Sequence, residues 1–131
     1  MANPAVVDIP GEILSGERNF EEPLVLDLVH LSRQTFGDHA LEVELLTLFE
    51  RQAAHLAVRL ADPRCPGDSR ARLELAHMLK GSARSVGALA VAASAEAYET
   101  ALRHGDEAEA RLCDALVVDI EAARAAIAEL L

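Results

Sequence analysis

His77 is followed, at helical spacing, by two cationic residues and a glycine. At about 100° per residue, Lys80, Gly81 and Arg84 fall on the same side of a helix as His77. The opposite side carries the apolar residues Leu75, Leu79 and Val86. This pattern predicts a helix whose buried stripe leaves the imidazole in solvent. A neutral imidazole is a nucleophile, and two neighbouring cations suit a dianionic group attached to it.

Gly81 lies one turn after His77, in the interior of this predicted helix. Glycine at such a position costs about 1 kcal/mol relative to alanine, so its presence needs a physical reason. Close contact between two helices is one such reason, but Gly81 points away from the predicted core. We therefore interpret Gly81 as providing steric access, because the missing side chain leaves the ring open to a large partner.

The string around the histidine consists of His77, Leu79, Lys80, Gly81 and Ser82, with Gly87 about ten residues after the histidine. This string resembles the signature of the histidine-containing phosphotransfer (HPt) domain family, and the resemblance extends from about Asp27 to the C-terminus. It implies a phosphorelay intermediate, in which His77 takes a phosphoryl group from an aspartate of one receiver domain and donates it to another. Tyr98 departs from the family pattern, in which leucine is commoner at this position. This difference affects the packing of the bundle and not the site.

The resemblance also implies a division of labour between this chain and its partners. The chain is expected to be a stoichiometric phosphocarrier and not an enzyme, and no glycine loop for a nucleotide precedes a helix. The implied partners are response-regulator receiver domains or a hybrid sensor kinase. No cofactor is expected on this chain, since the receiver domain would bring the magnesium ion.

Four residues near His77 are candidates for supporting roles. Lys80 and Arg84 are predicted to neutralise the phosphoryl group. Lys80 has the alternative of an ordinary surface charge, and Arg84 must fold back over two turns to contribute. Gln52 comes level with His77 across a predicted hairpin and is a candidate to steady the ring, or else a buried amide satisfied by another helix. Leu73 is a candidate for partner docking, because it is apolar and shares the face of His77.

Other polar residues are predicted to lie outside the site. Ser82 points about 140° away from His77, so its hydroxyl is expected to bond a backbone carbonyl one turn earlier. Tyr98 is expected in the core with its hydroxyl in water. The remaining histidines form no pair at the three- or four-residue spacing of a helix-borne metal site, so no metal is predicted. They are His30, His39, His55 and His104.

Composition sets the class of protein and its partners. The chain of 131 residues has the length of one domain, and its 51% hydrophobic content includes only 3% aromatic residues, which suits closely packed helices better than a sheet. The net charge of −10 disfavours nucleic acid and anionic membrane as partners. Cys113 is predicted to be a buried free thiol, and Cys65 is predicted to lie in a turn. This use of cysteine indicates a reducing compartment. With no signal peptide or membrane span in the pattern, we expect a cytoplasmic protein.

Cap residues and helix breakers predict five helices, over residues 24–36, 38–61, 69–86, 88–104 and 106–131. Asp38 is predicted to cap the second helix, and Asp106 the last, with Glu109 completing a capping box. The apolar stripe of the second helix is predicted to comprise Leu41, Leu45, Leu48, Phe49, Leu56 and Leu60. Together these helices predict an all-α, antiparallel up-down four-helix bundle with an additional short N-terminal helix. We assign 1–22 to a loosely ordered N-terminal arm and 23–131 to the bundle domain.

Two other functions fit parts of the pattern. A non-catalytic helical interaction module would carry His77 only incidentally. The dimerisation and phosphoacceptor region of a sensor kinase would place an acidic residue directly after its histidine and build the bundle from two chains. Here Met78 follows the histidine and one chain supplies four long helices, so a monomeric carrier is the preferred interpretation.

Overall fold

The computed structural model describes residues 22–62 and 69–131, so the predicted arm lies outside the described residues except for Glu22, as does Cys65. Within these two ranges, five helices follow one another with short connections. They are α1 (Leu28–Thr35), α2 (His39–Ala61), α3 (Ser69–Val86), α4 (Leu89–His104) and α5 (Glu109–Leu130). The described residues contain no strand, and the predicted all-α class is confirmed.

The four long helices form a closed ring. Helix α2 packs against α3 and α5, and α4 packs against the same two helices, with α3 and α4 in the most extensive contact. Because short connections make consecutive helices antiparallel, this is the predicted up-down bundle. The short α1 lies against α2 and α3.

Helix α1 begins at Leu28, four residues later than predicted. The carboxylate of Asp27 caps it by accepting a hydrogen bond from the backbone N–H of His30 at 3.0 Å. The preceding residues use their backbone groups elsewhere: Leu24 O accepts from Ala90 N at 2.9 Å, and Asp27 N donates to Gly87 O at 2.8 Å. These bonds hold residues 24–27 against the turn between α3 and α4, in place of a helical ladder.

The predicted caps of the two longest helices have different outcomes. Asp38 caps α2 as expected, since its carboxylate accepts from the backbone N–H of Leu41 at 3.1 Å. The capping box on α5 is wrong. Asp106 accepts instead from the backbone N–H of Ala108 at 2.8 Å, and α5 begins only at Glu109, without a side-chain cap. The turn formed by Asp106 satisfies a backbone donor before the helix starts.

The buried face of α2 differs in part from the predicted stripe. It comprises Leu46, Phe49, Ala53, Leu56, Ala57 and Leu60. Leu41 and Leu48 are exposed, contrary to the prediction. The two alanines in the buried set let neighbouring helices approach closely, so the core-facing stripe runs through them and leaves Leu48 outside.

Two side chains predicted to be buried, one on α4 and one on α5, can be compared with the structure. Tyr98 and Cys113 are buried, as expected. The hydroxyl of Tyr98 is not left to water, because Arg72 Nη1 donates a hydrogen bond to it at 2.9 Å. The thiol of Cys113 donates to Leu60 O at 3.6 Å, which links α5 to the end of α2.

We expect Gly87→Ala to lower the free energy of unfolding by about 3 kcal/mol or more. Gly87 has φ +85°, and an added Cβ would stand 2.6 Å from Asp27 O, so both the left-handed backbone and the strap of residues 24–27 would have to shift. Urea unfolding followed by circular dichroism measures the loss.

Gly105→Ala is the matched control for this substitution. Gly105 also has a left-handed backbone, with φ +60°, but an added Cβ meets nothing within 4 Å. We expect a loss of only about 1 kcal/mol from backbone strain. Equal losses in the two variants would contradict a specific role for the contact between Gly87 and Asp27.

Candidate functional site

Helix α3 presents His77 to solvent because the opposite face of the helix packs into the bundle. The residues that face the bundle interior are Leu75, Ala76, Leu79, Ala83 and Val86. The side chain of His77 is 66% exposed, in agreement with the predicted helical face. The imidazole is therefore accessible to a protein partner.

The ring of His77 is held from inside the bundle by Glu99, a residue of α4. Its Nδ1 lies 2.9 Å from Glu99 Oε2, and the side chain of Glu99 is only 4% exposed. A carboxylate can only accept, so Nδ1 carries the proton of this hydrogen bond. In the neutral ring the lone pair then resides on Nε2, which has no hydrogen-bond partner among the residues that the structure describes.

Two cations complete the surroundings of the Glu99 carboxylate. Lys80 Nζ forms an ion pair with Oε1 at 2.8 Å, and Arg103 Nη2 forms one with Oε2 at 2.8 Å. Burial alone would raise the pKa of Glu99, but the donors from Lys80, Arg103 and His77 outweigh it and lower the pKa to about 2. The carboxylate is therefore ionised throughout the physiological pH range.

Gly81 is exposed, and an added Cβ there would meet nothing within 4 Å. Its backbone is also not in the left-handed region. Neither close helix packing nor a special conformation therefore requires glycine at this position. These observations favour the steric interpretation, in which Gly81 keeps space open one turn from the ring.

The predicted cations occupy different environments. Lys80 is close to the ring through their common partner Glu99, and its side chain is only 17% exposed. Arg84 does not turn back toward His77. Its guanidinium pairs with Glu96 of α4 at 3.0 Å on the surface, so the expected position beside the ring is not found.

The remaining predicted residues lie on either side of this cluster. Leu73 is half-buried and packs against the core, and a docking role for it stays a prediction. Gln52 lines a groove between α2 and α3 together with Leu48 and Ser82, whereas the ring bonds to Glu99 on the α4 side. A role for Gln52 at the site stays a prediction. Ser82 lines the same groove and, within the described part of the chain, makes no bond to a backbone carbonyl, contrary to expectation.

Sequence reasoning missed Glu99 and Arg103. Glu99 follows Ala95 by four residues and precedes Leu102 by three, so it falls on the apolar stripe of α4. A charged residue on such a stripe is rarely buried without a partner. Its position on the stripe could therefore have identified Glu99 as a paired, buried carboxylate. Arg103 then follows Glu99 at the four-residue spacing of a helical ion pair.

Over residues 22–62 and 69–131, no group of three or more histidine, cysteine or acidic side chains is arranged to hold a metal ion. Within the same ranges, no helix has the combination of length and apolar character needed to cross a bilayer.

Comparison with known proteins identifies one family. A sequence model described as the Hpt domain matches residues 44–126, a segment that spans α3 and α4 and contains His77, Glu99 and Arg103. Searches against characterised proteins and against solved structures each give no significant match.

We expect Glu99→Gln to lower the free energy of unfolding by about 2 kcal/mol near pH 7, since three donors lose their charged acceptor. The folded pKa of about 2 lies below the ordinary value of 4.5, so the carboxylate stabilises the fold above pH 4.5 and this contribution is lost as the pH falls toward 2. The difference between wild type and variant, measured by urea unfolding, should therefore shrink over that window.

Glu96→Gln is the matched control, because Glu96 also pairs with an arginine between α3 and α4 but is half-exposed. The loss of unfolding free energy in this variant should stay within about 0.5 kcal/mol across the same pH range. A difference between wild type and Glu99→Gln that is independent of pH would contradict the low pKa of Glu99.

Proposed function

Since the chain belongs to the Hpt domain family, we propose that it is a phosphocarrier of a two-component phosphorelay, with His77 as the phosphoacceptor. It would receive the phosphoryl group from an aspartate of one receiver domain and pass it to an aspartate of another. The observation that carries this proposal is the geometry of His77. The ring is exposed, and a buried carboxylate holds its inner nitrogen.

The proposed transfer follows from the orientation of the ring. The lone pair on Nε2 attacks the phosphorus of an aspartyl phosphate, a P–N bond forms, and the P–O bond breaks with the carboxylate as the leaving group. The proton on Nδ1 stays in place, so the product is a phosphorylated imidazolium whose positive charge faces Glu99. Donation to a second receiver domain reverses these steps.

The chain's own part in this chemistry is to orient a nucleophile and to leave it accessible. Glu99 fixes which nitrogen is free, Lys80 holds Glu99 in place, and Gly81 leaves room for a receiver domain. The receiver would contribute the magnesium ion that neutralises charge in phosphoryl transfer. We therefore propose a stoichiometric carrier without kinase activity of its own, acting as a monomer in the cytoplasm.

The alternative of an interaction module with an incidental histidine accounts less well for Glu99. A buried carboxylate with three donors from two helices is costly to build, and it orients only one ring. The alternative of a kinase dimerisation region requires a second chain to complete the bundle. Here α2–α5 of one chain form the closed ring.

We expect His77→Gln to abolish acceptance of phosphate from a phosphorylated receiver domain. The label on the wild-type protein should be acid-labile and base-stable, as phosphohistidine is, and gel autoradiography after acid or base treatment measures it. His55→Gln, which changes an exposed histidine on α2, is the control and should accept label normally. Equal labelling of wild type and His77→Gln would refute the assignment.

Gly81 allows a second, graded test. Gly81→Glu should leave helix content nearly unchanged but slow transfer from a receiver domain by at least about tenfold. The reason is that a long acidic side chain would occupy the space beside His77. Gly81→Ala should retain transfer and raise the free energy of unfolding by about 0.5–1 kcal/mol. Transfer by the Glu variant at the wild-type rate would remove the steric argument, and circular dichroism verifies the fold of both.

A further inference from the structure

The two cations at Glu99 differ in how they could respond to a phosphoryl group on His77. Lys80 is bound to the carboxylate oxygen that His77 does not use, and its side chain is 17% exposed. Arg103 shares Oε2 with the Nδ1 atom of His77, at 2.8 and 2.9 Å, and its side chain is 55% exposed. The guanidinium is therefore both adjacent to the ring and open to solvent.

The chemistry of arginine suits a bridging position here. A guanidinium has five donors in a planar fork, and one nitrogen suffices to hold Glu99 Oε2. In the described part of the chain its other donors have no partner, so they can bind an anion beside the ring. A lysine ammonium is a single point charge, and that of Lys80 is already engaged on the inner side of the carboxylate.

We propose that Arg103 binds the phosphoryl group on His77 while Lys80 stays with Glu99. The inference rests on the proposed function and assigns to Arg103 the phosphate-neutralising role that sequence reasoning gave to Lys80 and Arg84. Arg84 is held by Glu96 at a separate surface position. Arg103 would thus stabilise the phosphorylated state directly, and Lys80 would act by positioning Glu99.

A small phosphodonor tests this division without a receiver domain. Phosphoramidate transfers its phosphoryl group when the P–N bond to ammonia breaks and a new P–N bond to Nε2 forms. We expect Arg103→Gln to shorten the lifetime of the phosphohistidine by about tenfold and to move its ³¹P resonance, since charge-assisted hydrogen bonds to the phosphoryl oxygens are lost. Arg103→Lys should give an intermediate lifetime.

Arg84→Gln is the matched control, because it removes an arginine from the same pair of helices without touching Glu99. Its phosphohistidine should have the lifetime and ³¹P shift of the wild type. Lys80→Gln should slow phosphorylation but leave the ³¹P shift of the product near that of the wild type.

The outcomes separate this inference from the proposed function. If wild type is not phosphorylated on His77 by phosphoramidate or by a phosphorylated receiver, the proposed function fails. If wild type is phosphorylated and Arg103→Gln matches it in lifetime and ³¹P shift, the carrier assignment survives and the role of Arg103 is refuted. A shift that moves in Lys80→Gln but not in Arg103→Gln would also overturn the proposal.

Discussion

The carboxylate of Glu99 is the constraint on which the rest of the site depends. An ionised carboxylate that is almost fully buried is tolerated only if its oxygens are bound by donors, and here these donors come from both α3 and α4. The two helices must therefore keep one register and one separation. His77 gains its orientation from this requirement, because its inner nitrogen is one of the donors that the carboxylate needs.

The packing of α3 against α4 makes that arrangement possible. Both helices bury small residues, Ala76 and Ala83 on α3 and Ala92 and Ala95 on α4. Alanine allows packed helices to approach closely, which is consistent with the side chain of Glu99 on α4 reaching the ring on α3. The turn at Gly87, bound by the preceding strap of residues 24–27, fixes the register at one end of this pair.

The sequence allows the exposed parts of the site to be predicted and hides the buried part. Helical periodicity alone orients His77 outward and places open space at Gly81, because both statements concern one helix. Glu99 and Arg103 require knowledge of which helix packs beside α3 and at what register, and periodicity does not contain that information. Arg84 shows the converse error, since a residue on the correct face can be drawn away by a partner on the next helix, here Glu96.

The shared acceptor also bears on why such a carrier would be reversible. If cations faced the phosphoryl group with no competing anion, they would stabilise the phosphorylated state strongly and make onward donation unfavourable. In the proposed arrangement an ionised Glu99 shares the Arg103 guanidinium with the phosphoryl group, so the gain on phosphorylation is smaller than an undivided cation would give. At the same time Glu99 would stabilise the positive charge that the ring acquires in the proposed transfer to Nε2. Both effects would suit a group that must be accepted and released.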